Sequence, residues 1–399
     1  FTTATIVGDF SDPIGGACPA TGFIGNGLSR CQTDLRVASN DPDADPFESG
    51  AIDPDSEPFA QREITFGIER ELGRSFMLRA RYTNKSVVNA LEDAGVADAG
   101  GSEIFITGNP GQGLHARFLE EGGYDGPYAK PKRRYDALEV VLEKRLSSSF
   151  FFNLNYTYSR LFGNYSGLSN TDELSGNLNG LARSDPGVNR SFDLPFVGFT
   201  AAGGPDDGPL ASDRPHVFNA YGAYIFDWMR SSSNSTEISL FQTVQSGTPQ
   251  TTLISFDGVT TIFTKRGDLG RSPTFTQTDL GLSHRYKFGR DNRFTLVGDL
   301  NFLNLFDQET VTTLQPTKTN GAITLTQAFP IAQFPQLYVN GVISQPALIN
   351  AYNRGDLLDA INTYLAGTPT VLNRTLSTYM QPNRFQNARN VRFGFRFIF

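Results

Sequence analysis

Hydrophobic and polar residues alternate along much of this chain. Between Arg62 and Leu72, Ile64, Phe66, Ile68 and Leu72 share one parity, and Glu63, Thr65, Gly67, Glu69 and Glu71 take the other. A strand sends alternate side chains to opposite faces, so this pattern predicts a strand with one apolar and one polar face. The same reading applies to Phe76, Leu78, Ala80 and Tyr82 against Arg79, Arg81 and Thr83, and to Leu138, Val140, Leu142 and Leu146 against Glu139, Glu143 and Arg145. It continues with Phe150, Phe152, Leu154, Tyr156 and Tyr158, with Ile238, Leu240 and Val244, with Leu280, Leu282, Tyr286 and Phe288, and with Phe294, Leu296, Leu300 and Phe302. The stretch from Pro215 to Asp227 is aromatic and apolar but alternates poorly. At the end of the chain Val391, Phe393, Phe395, Phe397 and Phe399 share a face opposite Arg392, Gly394 and Arg396, with Ile398 breaking the pattern. Nine strands are thus predicted, and Phe1 to Val7 gives a weak tenth.

The connections sharpen the picture. Short turns fall around Gly73, Ser147 to Ser149, Arg230 to Ser235, and Gly289 to Asn292, whereas 8–61, 85–133, 161–213, 247–273 and 305–388 are long. Short and long alternate, which places every long segment at one end of the strands. Transmembrane β-barrels combine short periplasmic turns with long extracellular loops and strands of about 10 residues. The final strand then runs inward, with Phe399 at the periplasmic rim. A soluble sandwich with clustered loops is the competing architecture. Loops this long point to function or disorder.

Composition fits the barrel. The chain has 399 residues, 39% hydrophobic, with 33 Phe, 40 Gly, 3 Met and 1 Trp. No run of 18 apolar residues occurs, which excludes transmembrane helices but not barrel strands. A formal charge of −7 and an isoelectric point near 5.1 argue against a nucleic-acid partner. The chain opens on Phe1 without a signal peptide, so a removed leader or an absent N-terminal portion is expected. Cys18 and Cys31 are separated by 12 residues in a Gly/Pro-rich stretch without further Cys or His ligands for zinc. A disulfide closing a surface loop is the expected state, the alternative being two unpaired thiols.

The aromatic terminus, Val391, Phe393, Phe395, Phe397 and Phe399, resembles the C-terminal signal of bacterial outer-membrane β-barrels. In those proteins the barrel-assembly machinery reads the terminal aromatic and the apolar face meets lipid. Further motifs are Arg214-Pro215-His216, Ser246-Gly247-Thr248-Pro249, Gly270-Arg271-Ser272-Pro273-Thr274, Thr278-Asp279-Leu280 and Asn301-Phe302-Leu303-Asn304-Leu305-Phe306-Asp307. With Phe66 to Gly73, Arg134 to Leu138, Tyr156 to Arg160 and Gly163 to Tyr165, they resemble TonB-dependent outer-membrane receptors. The similar branch is the Oar-like group, which carries a carboxypeptidase-regulatory-like domain. The resemblance implies a barrel of about 22 strands occluded by a plug, with about 10 strands present here. It makes residues 1–399 the C-terminal part of one barrel domain, with plug and N-terminal domains absent. The implied partners are outer-membrane lipid, the assembly machinery, the receptor's own plug and the TonB complex. The implied function is energised uptake, or export, of a large or scarce solute whose identity the sequence does not name. No cofactor is implied.

Candidate chemistry is sparse. His115, His216 and His284 lack metal-type spacing, and a structural or rim role suits His216 better than catalysis. His284 has the lipid-facing parity of an interfacial residue. Neither a Gly-x-Ser-x-Gly nucleophile motif nor a phosphate-cradling glycine loop occurs. The acidic run Asp41 to Asp45, with Glu48, Asp53, Asp55 and Glu57, fails calcium-loop spacing because Pro46 stands where the turn glycine belongs, so a solvated loop is expected. Asp206-Asp207 is read as turn chemistry. Arg79, Arg81, Glu139, Glu143, Asp279, Arg285 and Asp299 are placed in the lumen, where they cross-pair or contact a plug. Tyr124, Tyr128 and Tyr165 are candidates for stacking on a ligand. Two rival functions are a small passive channel or adhesion barrel complete as given, and an outer-membrane hydrolase.

Overall fold

A computed structural model describes residues 51–97, 103–147, 149–167, 192, 199–230, 233–256, 259–368 and 373–399. Nine long strands form one meandering antiparallel sheet: β1 (Ala60–Leu72), β2 (Phe76–Asn89), β3 (Arg133–Ser147), β4 (Phe150–Gly163), β5 (His216–Asp227), β6 (Asn234–Gln245), β7 (Phe275–Phe288), β8 (Phe294–Leu303) and β9 (Asn390–Ile398). Each pairs with its sequence neighbour. All nine strands predicted from alternation are present, whereas Phe1 to Val7 lies outside the described residues. Gly208–Pro209 adds a short tenth member beside β4. Among the described residues β1 and β9 each pair on one side only, so the sheet is open.

Register explains the two faces. Cross-strand partners share a face, and the rows stay in phase from β1 to β9. Phe66, Tyr82, Leu138, Tyr158 and His216 form one outward row. Tyr224, Ile238, Leu282, Leu300 and Phe393 form another nearer the short turns. Phe66, Phe393 and Phe395 are 69%, 78% and 62% exposed. Large exposed apolar surfaces in water mark an interaction with lipid or protein, and this one extends across nine strands.

The opposite face is polar and laced by pairs. Arg81 meets Glu139 at 2.5 Å, and Lys85 meets Glu63 at 3.0 Å. Asp299 accepts from Ser283 at 2.7 Å and lies 3.3 Å from Arg396. Exposed pairs of this kind contribute about 0–1 kcal/mol each. They keep the inner wall wet and in register and add little stability.

The apolar core lies elsewhere. The described parts of the four long loops that follow β2, β4, β6 and β8 meet at one end of the sheet and bury Phe118, Ile254, Phe256, Phe329, Leu348, Tyr352 and Ile361, among others. Loops that were expected to be functional or disordered therefore carry a folded head. Among the described residues three helices of nine residues contribute: α1 (Gly113–Glu121), α2 (Gln345–Asn353) and α3 (Leu358–Ala366). On α2, Leu348, Ile349 and Tyr352 face inward, and on α3 Ile361, Tyr364 and Leu365 do. This is the apolar stripe of an amphipathic helix. Phe256 stacks on Tyr352 with ring centroids 4.5 Å apart, and the Tyr352 hydroxyl donates to the Ile262 carbonyl at 2.8 Å. Burying each such side chain stabilises by about 1.5–3 kcal/mol. The head is thus held by its own core, independent of lipid.

Candidate functional site

The long-loop end gathers most of the distinctive motifs. The Arg214 guanidinium donates to the Ser246 carbonyl at 2.9 Å. The Ser246 N–H donates to the His216 carbonyl at 2.8 Å, and the His216 N–H donates to Ser246 Oγ at 3.1 Å. Arg271 donates to the carbonyls of Asp213 and Gly247 and to the Asp213 carboxylate. Asp213 is buried and also accepts from the Leu161 N–H at 2.6 Å. The Thr248 N–H donates to Ser272 Oγ at 3.0 Å. A Cβ at Gly247 would lie 1.6 Å from the Ser272 carbonyl oxygen, so only glycine allows this approach. A second knot lies beside it, where Asp279 accepts from the Asn304 N–H at 2.8 Å and the Asn304 amide donates to Gln308 and Asn387 carbonyls. Asn304 and Asp307 both have φ of 53°, a region where Asn and Asp are enriched. The motifs form a collar that clamps the tops of β4 to β9.

Above the collar, buried polar groups join the loops. Arg266 pairs with Asp206 at 2.9 Å, both almost fully buried, and donates to the Asn164 carbonyl at 3.3 Å. Buried Asp53 accepts from the Leu114 N–H at 2.9 Å, satisfying the first turn of α1. A Cβ at Gly113 would lie 2.2 Å from the Asp53 carboxylate, so that turn needs glycine. The Tyr165 hydroxyl donates to Glu92 at 2.5 Å. Burial, then Glu92, raises its pKa and keeps the proton on the phenol.

His115 on α1 is buried between two backbone groups. The Gly111 N–H donates to Nδ1 at 2.8 Å, and Nε2 lies 3.1 Å from the Gly95 carbonyl. Those partners demand a neutral ring with its proton on Nε2. Burial pushes its pKa down to about 4, against an opposing contribution from the Gly95 hydrogen bond. The unfolded imidazole titrates near 6.5. Between these values the unfolded state binds more protons, so stability of the head falls as pH drops from about 6.5 to about 4, then levels off. The expected loss is about 3 kcal/mol. Hydrogen exchange across 106–122 should accelerate over that interval, and His115→Gln should flatten the profile. A profile unchanged in His115→Gln would remove His115 as the titrating group.

Several sequence expectations find their places here. Tyr124 and Tyr165 are buried in the head, and the Tyr128 hydroxyl donates to the Tyr124 carbonyl at 3.2 Å, so all three are packing residues and not displayed ligand platforms. Asp206 does more than shape a turn, because it is the buried partner of Arg266, while Asp207 pairs with Lys132 at 2.8 Å. Asp53 is a buried helix-end acceptor, and the Glu57 carboxylate accepts from the Asn89 side chain at 2.9 Å. Asp41 to Glu48 and the Cys18–Cys31 pair lie outside the described residues. Among the described residues no group of three His, Cys, Asp or Glu side chains is placed to hold a metal. His216 sits at the rim, with Nδ1 2.8 Å from the Tyr156 hydroxyl. His284 lies on the apolar face, where its Nδ1 is 2.9 Å from the Thr236 hydroxyl, which also accepts from Trp228 Nε1. The terminal set Val391, Phe393, Phe395 and Phe397 is exposed on the outward face of β9, and Phe399 stacks on Phe397 at 6.1 Å.

The sequence reading missed Arg266 and the helices α1, α2 and α3. The helices left a signal, apolar residues three and four apart, that a search for alternation passes over. What results is a folded head on a collar above a wall with a polar inner face.

Comparison with known proteins agrees. The model of the outer membrane beta barrel domain family matches residues 5–266. The TonB-dependent transporter Oar of Myxococcus xanthus is 28% identical over 305 residues, covering 72% of this chain and 26% of the relative. The chain therefore spans about a quarter of the length of that curated relative.

Proposed function

Because the chain belongs to the outer membrane beta barrel domain family, we propose that it is the wall, lumen lining and loop head of a TonB-dependent transporter. Its sheet is part of an outer-membrane β-barrel, with the apolar face to lipid and the collar and head outside the cell. The observation that carries the reading is the likeness to a TonB-dependent transporter along 72% of the chain. The head supports it: four loops folded on one core over one end of the sheet can present a fixed surface to a solute. In this reading the head captures the solute, and the polar wall, with its Arg81–Glu139 and Arg396–Asp299 pairs, gives it a wet path. A plug driven by TonB and the proton gradient would release it, for uptake or export. Residues 1–399 are then the C-terminal part of one barrel domain. The single-sided pairing of β1 and β9 among the described residues is compatible with this.

The test uses the native protein from purified outer membranes. The expected result is an intact mass well above 43.7 kDa and capture by an immobilised TonB periplasmic domain. A native mass near 43.7 kDa without TonB binding would replace this reading with a small passive channel or adhesion barrel.

A further inference from the structure

The outward face changes character above the Phe66, Tyr82, Leu138, Tyr158 and His216 row. Aromatic rings with polar tips favour the boundary between hydrocarbon and headgroups, so this row marks the outer edge of the apolar layer. The next row up reads Ile64, Asn84, Asp136 and Arg160 across β1 to β4. The row above it reads Arg62, Ser86, Arg134 and Phe162. Three exposed guanidiniums therefore stand on the lipid side of the wall, just above its apolar band. Adjacent strands lie about 4.8 Å apart, so Arg62 and Arg160 span about 14 Å.

The cluster is ordered and only partly neutralised. Asp136 accepts from Arg134 Nε at 2.7 Å, from the Asn84 amide at 2.6 Å and from the Tyr82 hydroxyl at 2.9 Å. Arg160 lies over the Phe162 ring at 4.5 Å, and among the described residues its guanidinium makes no hydrogen bond. Among the described residues neither Arg62 nor Arg160 is within ion-pair distance of an acidic side chain. Glu63 and Glu139, on the same strands, have the opposite parity and pair with Lys85 and Arg81. Three arginines against one aspartate leave two positive charges on this patch. A charge facing lipid at headgroup height is favourable only opposite an anion, and the arginine fork matches phosphate in two-point geometry.

We propose that Arg62, Arg134 and Arg160 form a binding site for the phosphorylated headgroup of an outer-leaflet glycolipid, whose acyl chains lie on the Phe66, Tyr82, Leu138 and Tyr158 surface. The site commits to a lipid because the charged rows continue directly into the apolar band. It goes beyond transport, since it requires only that the barrel sit in the outer membrane.

The test measures phosphoglycolipid retained by the full-length protein after mild detergent extraction. The double variant Arg62→Gln/Arg160→Gln should lose about tenfold of the bound lipid. Arg134 is left intact because it also holds Asp136. Arg290→Gln/Arg293→Gln, the same charge loss at the short-turn end, should retain the wild-type amount, and heat-modifiable migration on gels should show both variants folded. Inorganic phosphate should not displace the lipid, and vesicles of enzymatically dephosphorylated glycolipid should bind no better than the double variant. Wild-type retention by a folded Arg62→Gln/Arg160→Gln protein would overturn the site. Displacement by inorganic phosphate alone would make it a free-anion site, and undiminished binding of dephosphorylated lipid would remove the phosphate contact.

Discussion

Arg266→Met should destabilise the loop head by about 3–5 kcal/mol while leaving the barrel wall assembled. The side chains of Arg266 and Asp206 are 4% and 1% exposed, and their charged atoms are 2.9 Å apart. Removing one partner of a buried ion pair leaves the other charge in a low-dielectric site, which costs about that much. The guanidinium also donates to the Asp206 carbonyl at 3.0 Å and to the Asn164 carbonyl, so it bridges two loops remote in sequence. Proteolysis of loops in the outer-membrane protein would report the loss as cleavage within 164–215 and 246–274 at otherwise tolerated protease levels. The double variant Arg266→Met/Asp206→Leu should recover much of the stability, because it removes both charges and leaves neither unpaired. Arg354→Met supplies the contrast. Its partner Asp125 is 62% exposed, so the loss should stay below about 1 kcal/mol. Equal protease resistance in Arg266→Met and wild type would mean that the pair is not a joint of the head.

The wall was legible in the sequence because lipid on one side and water on the other impose a strict period of two. The limits of that rule show in particular places. The alternation reading ends β2 at Thr83, yet the strand runs to Asn89, with Lys85 opposite Glu63 and Ser86 opposite Arg134. Above the apolar layer each face mixes polar and apolar residues, with Asn84, Ser86 and Val88 on one parity and Lys85 and Val87 on the other, and the pattern loses its contrast. β4 likewise continues past Ser159 to Gly163. Poor alternation in β5 has the opposite cause. Tyr221 faces the lumen against Phe151, with ring centroids 5.6 Å apart, so both faces of that strand carry apolar side chains.

The site was legible only as motifs. Arg214-Pro215-His216, Ser246 to Pro249 and Gly270 to Thr274 stood out one by one, but their meeting in a collar depends on hydrogen bonds between loops brought together by strand pairing. Asp206 looked like a turn residue because its neighbours are Gly and Pro. Its buried role depends on Arg266, sixty residues on, and no local pattern reports such a contact. Tyr124 and Tyr165 misled for the same reason. An aromatic residue in a long loop reads as displayed when the loop is taken to be unfolded, and these loops have a core.

Deleting Phe399, or replacing Phe395 by Asp, should abolish most barrel assembly, an effect on yield and not merely on stability. We propose that Val391, Phe393, Phe395, Phe397 and Phe399 form the strand read during assembly, and the geometry gives them the properties such a strand needs. Phe393, Phe395 and Phe397 stand outward and exposed, one beneath another toward the short-turn rim. Phe395 lies opposite Gly298, which offers no side chain, so its ring is open to a partner. Phe397 stacks within 5.9 Å of Phe294 and 6.1 Å of Phe399, extending the aromatic surface to the last residue. The far edge of β9 is unpaired among the described residues, leaving its backbone N–H and C=O groups available to template another strand. An aspartate at 395 would put a carboxylate in the middle of the surface that must enter lipid, whereas Arg392→Ser alters only the lumen face and should assemble normally. The readout is the heat-modifiable band in purified outer membranes, with surface protease access as an independent check. Full assembly of both Phe variants would place the recognition elsewhere in the barrel. Failure of Arg392→Ser together with them would show that β9 tolerates no change, and that parity is not what is read.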